Sequence, residues 1–433
     1  MSRQRRQFIK ALVANRNGEF FDLDHYAAVG MAGSTLVPLT EMDTMNMPFG
    51  GEHLFLPDRR PIVYNMAAKT FEVLTDNPHA PGEPVYPVAA FNAPGHTISL
   101  VSAYAEQPDA APLPLFSYGA VGWLKGRFRV AAIRVDRERR QDLRLMPHDK
   151  IVEGIASLRR TMPSNRLRAH LETCALTYGC PAAKNFFLER CEGPLPTSVR
   201  CNAKCHGCLS LQRESDIPST QKRIDFTPTP DEIAQIAMHH IGHTTRPVVS
   251  FGQGCEGEPL LAAKVIEPAI RLIRQATRRG TINMNTNASL PSVLDRLFEA
   301  GLDAIRVSMN SVRKRFYEAY FRPKGYSFED VVASIDLAGH KGKFVSMNYL
   351  NLPGFTDSKE EMAAFLSFLD NHPVQMIQWR NLNFDPVRYW KIMDDGSPEA
   401  ELMGMHTVME RVRKAFPTLK FGYFNPPKEK FGP

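Results

Sequence analysis

The sequence predicts an α/β fold behind a β-rich N-terminal region, and three observations carry that expectation. From about Thr197 to Asn383, short apolar strand runs alternate with amphipathic helical stretches, the pattern of a parallel sheet with helical crossovers. The first 147 residues instead carry short apolar runs separated by clusters of Pro, Gly, Asn and Asp, which suits an antiparallel sheet or barrel. Polar side chains recur on successive strands of the later region, where a β/α fold builds its site.

Length and composition agree with this division. A chain of 433 residues with 43% apolar content exceeds one ordinary core and suits more than one domain. The expected segments are an N-terminal β-rich domain at 1–147, a helical, cysteine-containing connector at 148–196, the α/β core at 197–385, and a C-terminal helix and tail at 386–433. No run of 18 apolar residues occurs, so a cytoplasmic protein without a membrane partner is expected. The net charge of +7 admits an anionic partner. Its basic residues are dispersed, however, in small groups at Arg3 to Arg6, Arg137 to Arg144 and Arg271 to Arg279. That dispersal favours solvated faces over an RNA-binding surface.

Taken in order, strand runs are expected at Phe8–Ala14 and Phe20–Leu23, joined through the hairpin signal Asn17-Gly18. Others follow at His53–Leu56, Pro61–Tyr64, Val85–Phe91, Thr97–Tyr104, Leu115–Trp123 and Phe128–Val135. From Asp149 the period turns helical, with Ile151, Ile155, Leu158, Leu167 and Leu171 three and four apart. The capping sequence Thr229-Pro230-Asp231-Glu232 opens a helix. Strands are expected at Pro247–Phe251, Thr281–Asn285, Asp303–Met309, Phe344–Leu350 and Val374–Trp379. With the run into Cys201 as the first, these make six. Helices are expected at Leu260–Arg279, Pro291–Ala300, Val312–Tyr320, Phe328–His340 and Lys359–Asn371. Beyond Asn383 the signal fades: a turn at Asp385–Trp390, a helix at Glu399–Phe416 and a Pro- and Lys-rich tail.

All seven cysteines fall between Cys174 and Cys255. An odd number crowded into one stretch argues for reduced thiols and metal ligation over a disulfide framework. Cys201, Cys205 and Cys208 stand in C-x3-C-x2-C spacing, three thiolates on one loop and one short of the usual four for an iron–sulfur cube. The remaining iron position would be open to a small molecule. Cys174, Cys180 and Cys191 have the spacing C-x5-C-x10-C, which matches no defined metal pattern. They read as an additional iron–sulfur cluster, a zinc site or buried thiols on a helical connector.

Polar residues share strand faces at Asn283, Asn285 and Asn287, at Arg306, Ser308 and Asn310, at Ser346 and Asn348, and at Gln378 and Arg380. A strand buried on both faces should be nearly all apolar. Either a ligand site or a satisfied buried network explains them. The turn Gly252-Gln253-Gly254-Cys255-Glu256-Gly257-Glu258-Pro259 brings glycines for close backbone approach, and it puts Cys255 beside the site as a hydrogen-atom donor, covalent acceptor or cluster ligand, or as a small packing residue.

With C-x3-C-x2-C followed one strand later by Gly257-Glu258-Pro259, the stretch from Thr197 to Asn383 resembles the radical S-adenosylmethionine superfamily. The resemblance implies a partial (β/α)6 TIM-like barrel carrying a [4Fe-4S] cluster on Cys201, Cys205 and Cys208. It assigns Gly257, Glu258 and Pro259 to the methionine amino group of S-adenosylmethionine. Ser308 and Asn310 would touch ribose and methionine carboxylate, Asn348 and Gln378 the adenine, with Asn285 and Arg306 on the same cofactor-facing ends. One departure is Gly207, where many members carry an aromatic residue; His206 is either the alternative shield or an exposed loop histidine. The implied activity is reductive cleavage of S-adenosylmethionine to a 5′-deoxyadenosyl radical that abstracts hydrogen from a peptide, RNA or metabolite. A flavodoxin or ferredoxin would supply the electron, and the reaction would class the protein as an oxidoreductase or transferase. A noncatalytic iron–sulfur scaffold is the alternative.

Overall fold

Seven parallel strands, each hydrogen-bonded to the next in sequence, form the sheet that positions the cysteine loop. The computed structural model describes residues 7–140, 142–212, 216–394, 396 and 400–432; the basic group Arg3 to Arg6 lies outside them. The strands are Glu192–Pro194, Val248–Phe251, Thr281–Thr286, Ala304–Met309, Phe344–Asn351, Met376–Asn381 and Lys420–Gly422. Sequential order without reversal is the winding of a β/α barrel, as opposed to a doubly wound sheet with a switch point. Asn425, just past the seventh strand, donates to Glu192 in the first (2.7 Å). The two edges of the sheet thereby meet through side chains, and the architecture is an α/β partial barrel.

Two strands differ from expectation. The first is Glu192–Pro194 and not the run into Cys201. Its Gly and Pro read as loop, yet it pairs in parallel register with Val248–Ser250 along one edge. Residues Ser198 and Arg200 instead give their carbonyls to the turn after the second strand. The expected count of six becomes seven because Lys420–Gly422, placed by sequence in the tail, pairs with Met376–Gln378.

Among the described residues, nine α-helices run before and between the first six strands: α1 (His148–Thr161), α2 (Arg166–Leu176), α3 (Pro181–Phe187), α4 (Pro230–His243), α5 (Ala263–Ala276), α6 (Pro291–Ala300), α7 (Lys314–Phe321), α8 (Phe328–His340) and α9 (Lys359–Asn371). Their starts follow local chemistry. Thr229 and Glu232 form a reciprocal capping box on α4, and Ser327 and Asp330 do the same on α8. Asn165 caps α2 and also donates to the Glu232 carbonyl and to Gln235 (3.0 and 2.8 Å), tying α2 to α4. Helix α5 buries Ile266, Ile270 and Ile273, the stripe three and four residues apart that a sheet-covering helix presents. On α4, His240 is fully buried against Gly193 of the first strand, and burial holds its imidazole down to a pKa of about 4.

The chain divides into two compact units, each discontinuous in sequence. One comprises 136–350, 364–379 and 415–433; the other comprises 1–135, 351–363 and 380–414. The helical connector therefore groups with the strands, while segments from both sides of Asn383 group with the N-terminal residues.

In the second unit the antiparallel strands begin with Lys10–Ala14 and Phe20–Ala32, joined as expected at Asn17-Gly18. Gly18 there has φ +78°, a turn conformation open to glycine. The second of these strands runs to Ala32 and pairs with four others, where sequence ended it at Leu23. Polar residues Asp22, Asp24 and His25 interrupt the apolar run there, as one exposed sheet face allows. The expected turn at Asp385–Trp390 is a helix, Pro386–Met393, whose first amides bond to the Asp385 carboxylate. The later helix spans Met405–Ala415, beginning after Gly404 at φ +78°; its expected start, Glu399, lies outside the described residues.

Arg59 and Asp385, 326 positions apart, are both buried and paired at 3.3 Å. Arg59 also donates to the carbonyls of Pro57 and Ala111 (3.0 and 2.9 Å). Asp385 accepts from Tyr104 Oη and the Leu113 amide. Removing Asp385 leaves the buried Arg59 only the part-exposed Glu106 (3.2 Å) as counter-charge, so Asp385→Ala is expected to cost about 3 kcal/mol. Urea unfolding of the variant beside wild type checks this; a change below about 1 kcal/mol would show that the pair is not holding this unit together.

Candidate functional site

The cysteine loop is held at the carboxyl ends of the second, third and fourth strands by backbone bonds and buried carboxylates. The Gly257 amide donates to the Ser198 carbonyl (2.6 Å) and the Glu258 amide to that of Arg200 (2.9 Å). Only glycine fits at 257, where a Cβ would stand 2.0 Å from the Arg200 carbonyl oxygen. Gly252, at φ +78°, likewise presses on the Asn285 carbonyl. From the other side, Lys204 and His206 donate through their amides to carbonyls at the end of α7, and Lys324 donates to Asn202. Asn202 accepts from Asn287 (2.8 Å) and donates to Ser289 (2.9 Å), which binds the loop to the end of the third strand.

Two carboxylates lie beneath this loop. Glu256 is buried and accepts from the amides of Thr197, Ser198, Gly252 and Gln253 at 2.7–2.9 Å. Burial pushes its carboxyl up in pKa, and those four amides oppose the shift. Glu258 accepts from the amides of Leu260 and Asn287 (3.1 and 2.8 Å) and from the Thr286 hydroxyl. Burial raises it to about 7, against the same bonds.

Cys201, Cys205 and Cys208 are partly covered. Burial, then the charge of Glu258, pushes the Cys201 thiol up to about 11. Burial and the two neighbouring sulfurs push Cys205 well above the ordinary thiol range. Thiols on one loop, with Cys201 and Cys205 each pushed up in part by a neighbouring sulfur, are a donor set that a cationic centre relieves. Their sulfurs are not among the described groups whose ligand atoms all lie within 4.8 Å of one another. Three partly covered thiols on one loop, each able to bind a different iron, fit an iron–sulfur cluster. Arg223, not singled out from sequence, donates to Cys208 Sγ (3.4 Å) and Ser210 Oγ (3.1 Å). No local signal marks it in the sequence, where Arg213 and Lys222 stand in the same stretch after the third cysteine. The His206 ring lies tilted against Tyr320, 6.5 Å between centroids.

The polar strand residues separate into two sets. Ser250, Asn283, Asn285 and Gln378 are buried and linked through Asn425, and Arg306 donates to Gln378 (3.0 Å). Asn285 also donates to the Gly252 carbonyl (2.9 Å). Asn310 is buried and donates to the Phe316 carbonyl on α7 (3.1 Å). Ser308 and Asn348, paired at 3.4 Å, are only partly covered. Asn425, the hub of the first set, escaped sequence reading because it sits in the Pro-rich tail.

The other cysteines divide as well. Cys174 on α2 meets His170 (3.5 Å), and His170 meets Cys255 (3.4 Å). Cys180 caps α3 and donates through its amide to the Cys174 carbonyl (2.9 Å). Cys191 lies at φ +58° before the first strand, its carbonyl accepting from the Val248 amide. Cys180 and Cys191 are outside the His170, Cys174 and Cys255 group. Among the described residues no helix is long and apolar enough to cross a membrane.

Comparison with known proteins bears on the same span. Residues 195–366 match the family model described as Radical SAM superfamily. GTP 3′,8-cyclase of Chlorobaculum tepidum is 28% identical over 223 residues, 51% of this chain and 60% of that protein. Molybdenum cofactor biosynthesis protein 1 of Drosophila melanogaster is 27% identical over 178 residues, 41% of this chain and 29% of that one. The chain thus spans less than two thirds of the length of either relative. A radical SAM methyltransferase from Sphaerobacter thermophilus superposes with a TM-score of 0.37 at 15% identity, covering 52% of this chain and 63% of that one.

Two outcomes follow from the geometry. Gly257→Ala forces apart the backbones of the cysteine loop and the adjoining turn, so iron content after anaerobic reconstitution should fall by more than half; full loading would show that the turn tolerates a Cβ. Arg223→Gln should keep its iron but lower the cluster's midpoint potential by about 60 mV, the one-electron equivalent of about 1.4 kcal/mol for a charge-assisted hydrogen bond to sulfur. An EPR-monitored redox titration reads the shift, and an unchanged potential would remove Arg223 from that role.

Proposed function

Because this chain belongs to the radical SAM superfamily, we propose that it is an enzyme that cleaves S-adenosylmethionine reductively on a [4Fe-4S] cluster held by Cys201, Cys205 and Cys208. The observation that carries the reading is the docking of Gly257 and Glu258 against Ser198 and Arg200, which sets a buried acidic side chain beside Cys201. When bound, the cluster and S-adenosylmethionine supply one-electron cleavage of the sulfonium and hydrogen abstraction from a substrate.

The chain's own residues bind and orient. Glu258 receives the methionine ammonium, together with backbone of Gly257 and Pro259. Its carboxyl, raised to about 7 by burial, ionises more readily once a cation stands beside it. Thr286 and the Asn287 amide fix its direction. Ser308 and Asn348 face the ribose and adenine. Arg306, Gln378 and Asn285 position that face through the Asn425 network, and Asn310 holds the start of α7. Arg223 keeps positive charge at the Cys208 sulfur.

An external one-electron donor such as flavodoxin or ferredoxin is part of the proposal. Peptide, RNA and metabolite remain the substrate classes, and GTP, named for the Chlorobaculum relative, is a first probe. The dispersed basic residues argue less for RNA. A cytoplasmic location is proposed with the donor. A second iron–sulfur cluster on Cys174, Cys180 and Cys191 is decided by iron content, about eight per chain for two cubes and about four for one.

The reconstituted protein with dithionite and S-adenosylmethionine should form 5′-deoxyadenosine. Cys201→Ala, Cys205→Ala and Cys208→Ala should each abolish it, and Glu258→Gln should weaken S-adenosylmethionine binding at least tenfold, about 1.4 kcal/mol. No product from a fully loaded cluster, with GTP, peptide and RNA probes each tried, would turn the reading to the iron–sulfur scaffold.

A further inference from the structure

Outside the C-x3-C-x2-C loop, one group of soft ligands is brought together by the fold and used by nothing described so far. His170 and Cys174 stand four residues apart on α2, so they project from the same face. Cys255 comes from the turn after the second strand, 85 positions from His170. The ligand atoms of all three lie within 4.8 Å of one another. Cys174 and Cys255 are buried and His170 is partly covered.

The separations discriminate between kinds of centre. With zinc–sulfur and zinc–nitrogen bonds of about 2.3 and 2.05 Å and a tetrahedral angle, a ligand nitrogen and sulfur stand about 3.6 Å apart. The His170 nitrogen lies 3.4 Å from Cys255 Sγ and 3.5 Å from Cys174 Sγ. Ligands of an iron–sulfur cube bind separate irons and spread wider. Both contacts use the same nitrogen, Nε2, so one ion opposite it reaches both sulfurs.

We propose that His170, Cys174 and Cys255 bind a single zinc ion. Two thiolates and an imidazole are the soft and borderline ligands zinc selects, and three protein ligands leave the fourth corner to solvent. Binding releases the two thiol protons and changes no oxidation state. The ion clamps α2 to the turn carrying Gly257 and Glu258. Both attachments are already firm: Asn165 anchors the start of α2 to α4, and the Cys255 carbonyl accepts from the Ile224 amide (2.7 Å). The site goes beyond the S-adenosylmethionine reading and does not depend on it.

Metal analysis of the full chain, purified anaerobically without chelator, tests the site. About one zinc per chain is expected beside the iron. Cys174→Ser and His170→Ala should lose the zinc and keep the iron, while replacing Cys201, Cys205 and Cys208 together with Ala should do the reverse. Should a zinc-ligand variant fail to fold, the variant with only Cys201, Cys205 and Cys208 replaced, from cobalt-supplemented medium, carries the test. It should show sulfur-to-cobalt charge transfer and the strong visible bands of tetrahedral Co(II). Wild-type protein with full iron and no zinc, zinc unmoved by Cys174→Ser, an octahedral cobalt spectrum, or iron that falls from about eight to about four in Cys174→Ser would each overturn the proposal.

Discussion

The carboxylate of Glu256 is the constraint on which the site depends. A buried acid with four backbone amides around it is a satisfied anion, and those amides come from two separate segments, Thr197–Ser198 and Gly252–Gln253. The approach to the cysteine loop and the turn after the second strand are thereby one body. Neither segment is in a strand or helix, so without this anion the amides of Thr197 and Ser198 would be buried donors without acceptors, each costing about 1–3 kcal/mol. Gly257 and Glu258 then add two backbone bonds in the same direction, and the close approach excludes any side chain at 257.

Around that joint the polar residues do two kinds of work. One set, Ser250, Asn283, Asn285, Gln378 and Asn425, satisfies itself across the inside of the sheet and bridges the first and last strands. A sheet of seven strands that stops short of closure must leave polar edges somewhere, and a side-chain network between them meets that need without a ladder. The other set, Ser308 and Asn348, stays partly uncovered on neighbouring strands. Of the two readings available from the sequence, the buried network describes the first set, while Ser308 and Asn348 keep the partial exposure that the ligand reading calls for.

The proposed cluster and the proposed zinc share one turn. Cys255 and Glu258 are three positions apart between the second strand and the next helix, and α2 meets that turn through His170. A turn held on one side by Glu256 and on the other by a metal clamp is pre-organised, which is what an electron-transfer site that must exclude water requires.

Strand and helix periodicity, the caps at Thr229 and Ser327, the Asn17-Gly18 hairpin and the cysteine spacing were legible in the chain because each depends on residues close in sequence. The helices at 291–300, 328–340 and 359–371 match their expected bounds for that reason. Glu192–Pro194 and Lys420–Gly422 became strands only because a neighbouring strand offered its edge, which overrides the poor propensity of Gly and Pro. Pairings such as Arg59 with Asp385 and His170 with Cys255, and the hub role of Asn425, join positions 85 to 326 residues apart or draw on a segment that reads as tail. No local pattern encodes such meetings; they are decided when strands stack in order and burial leaves each polar group only the partners that packing brings within reach.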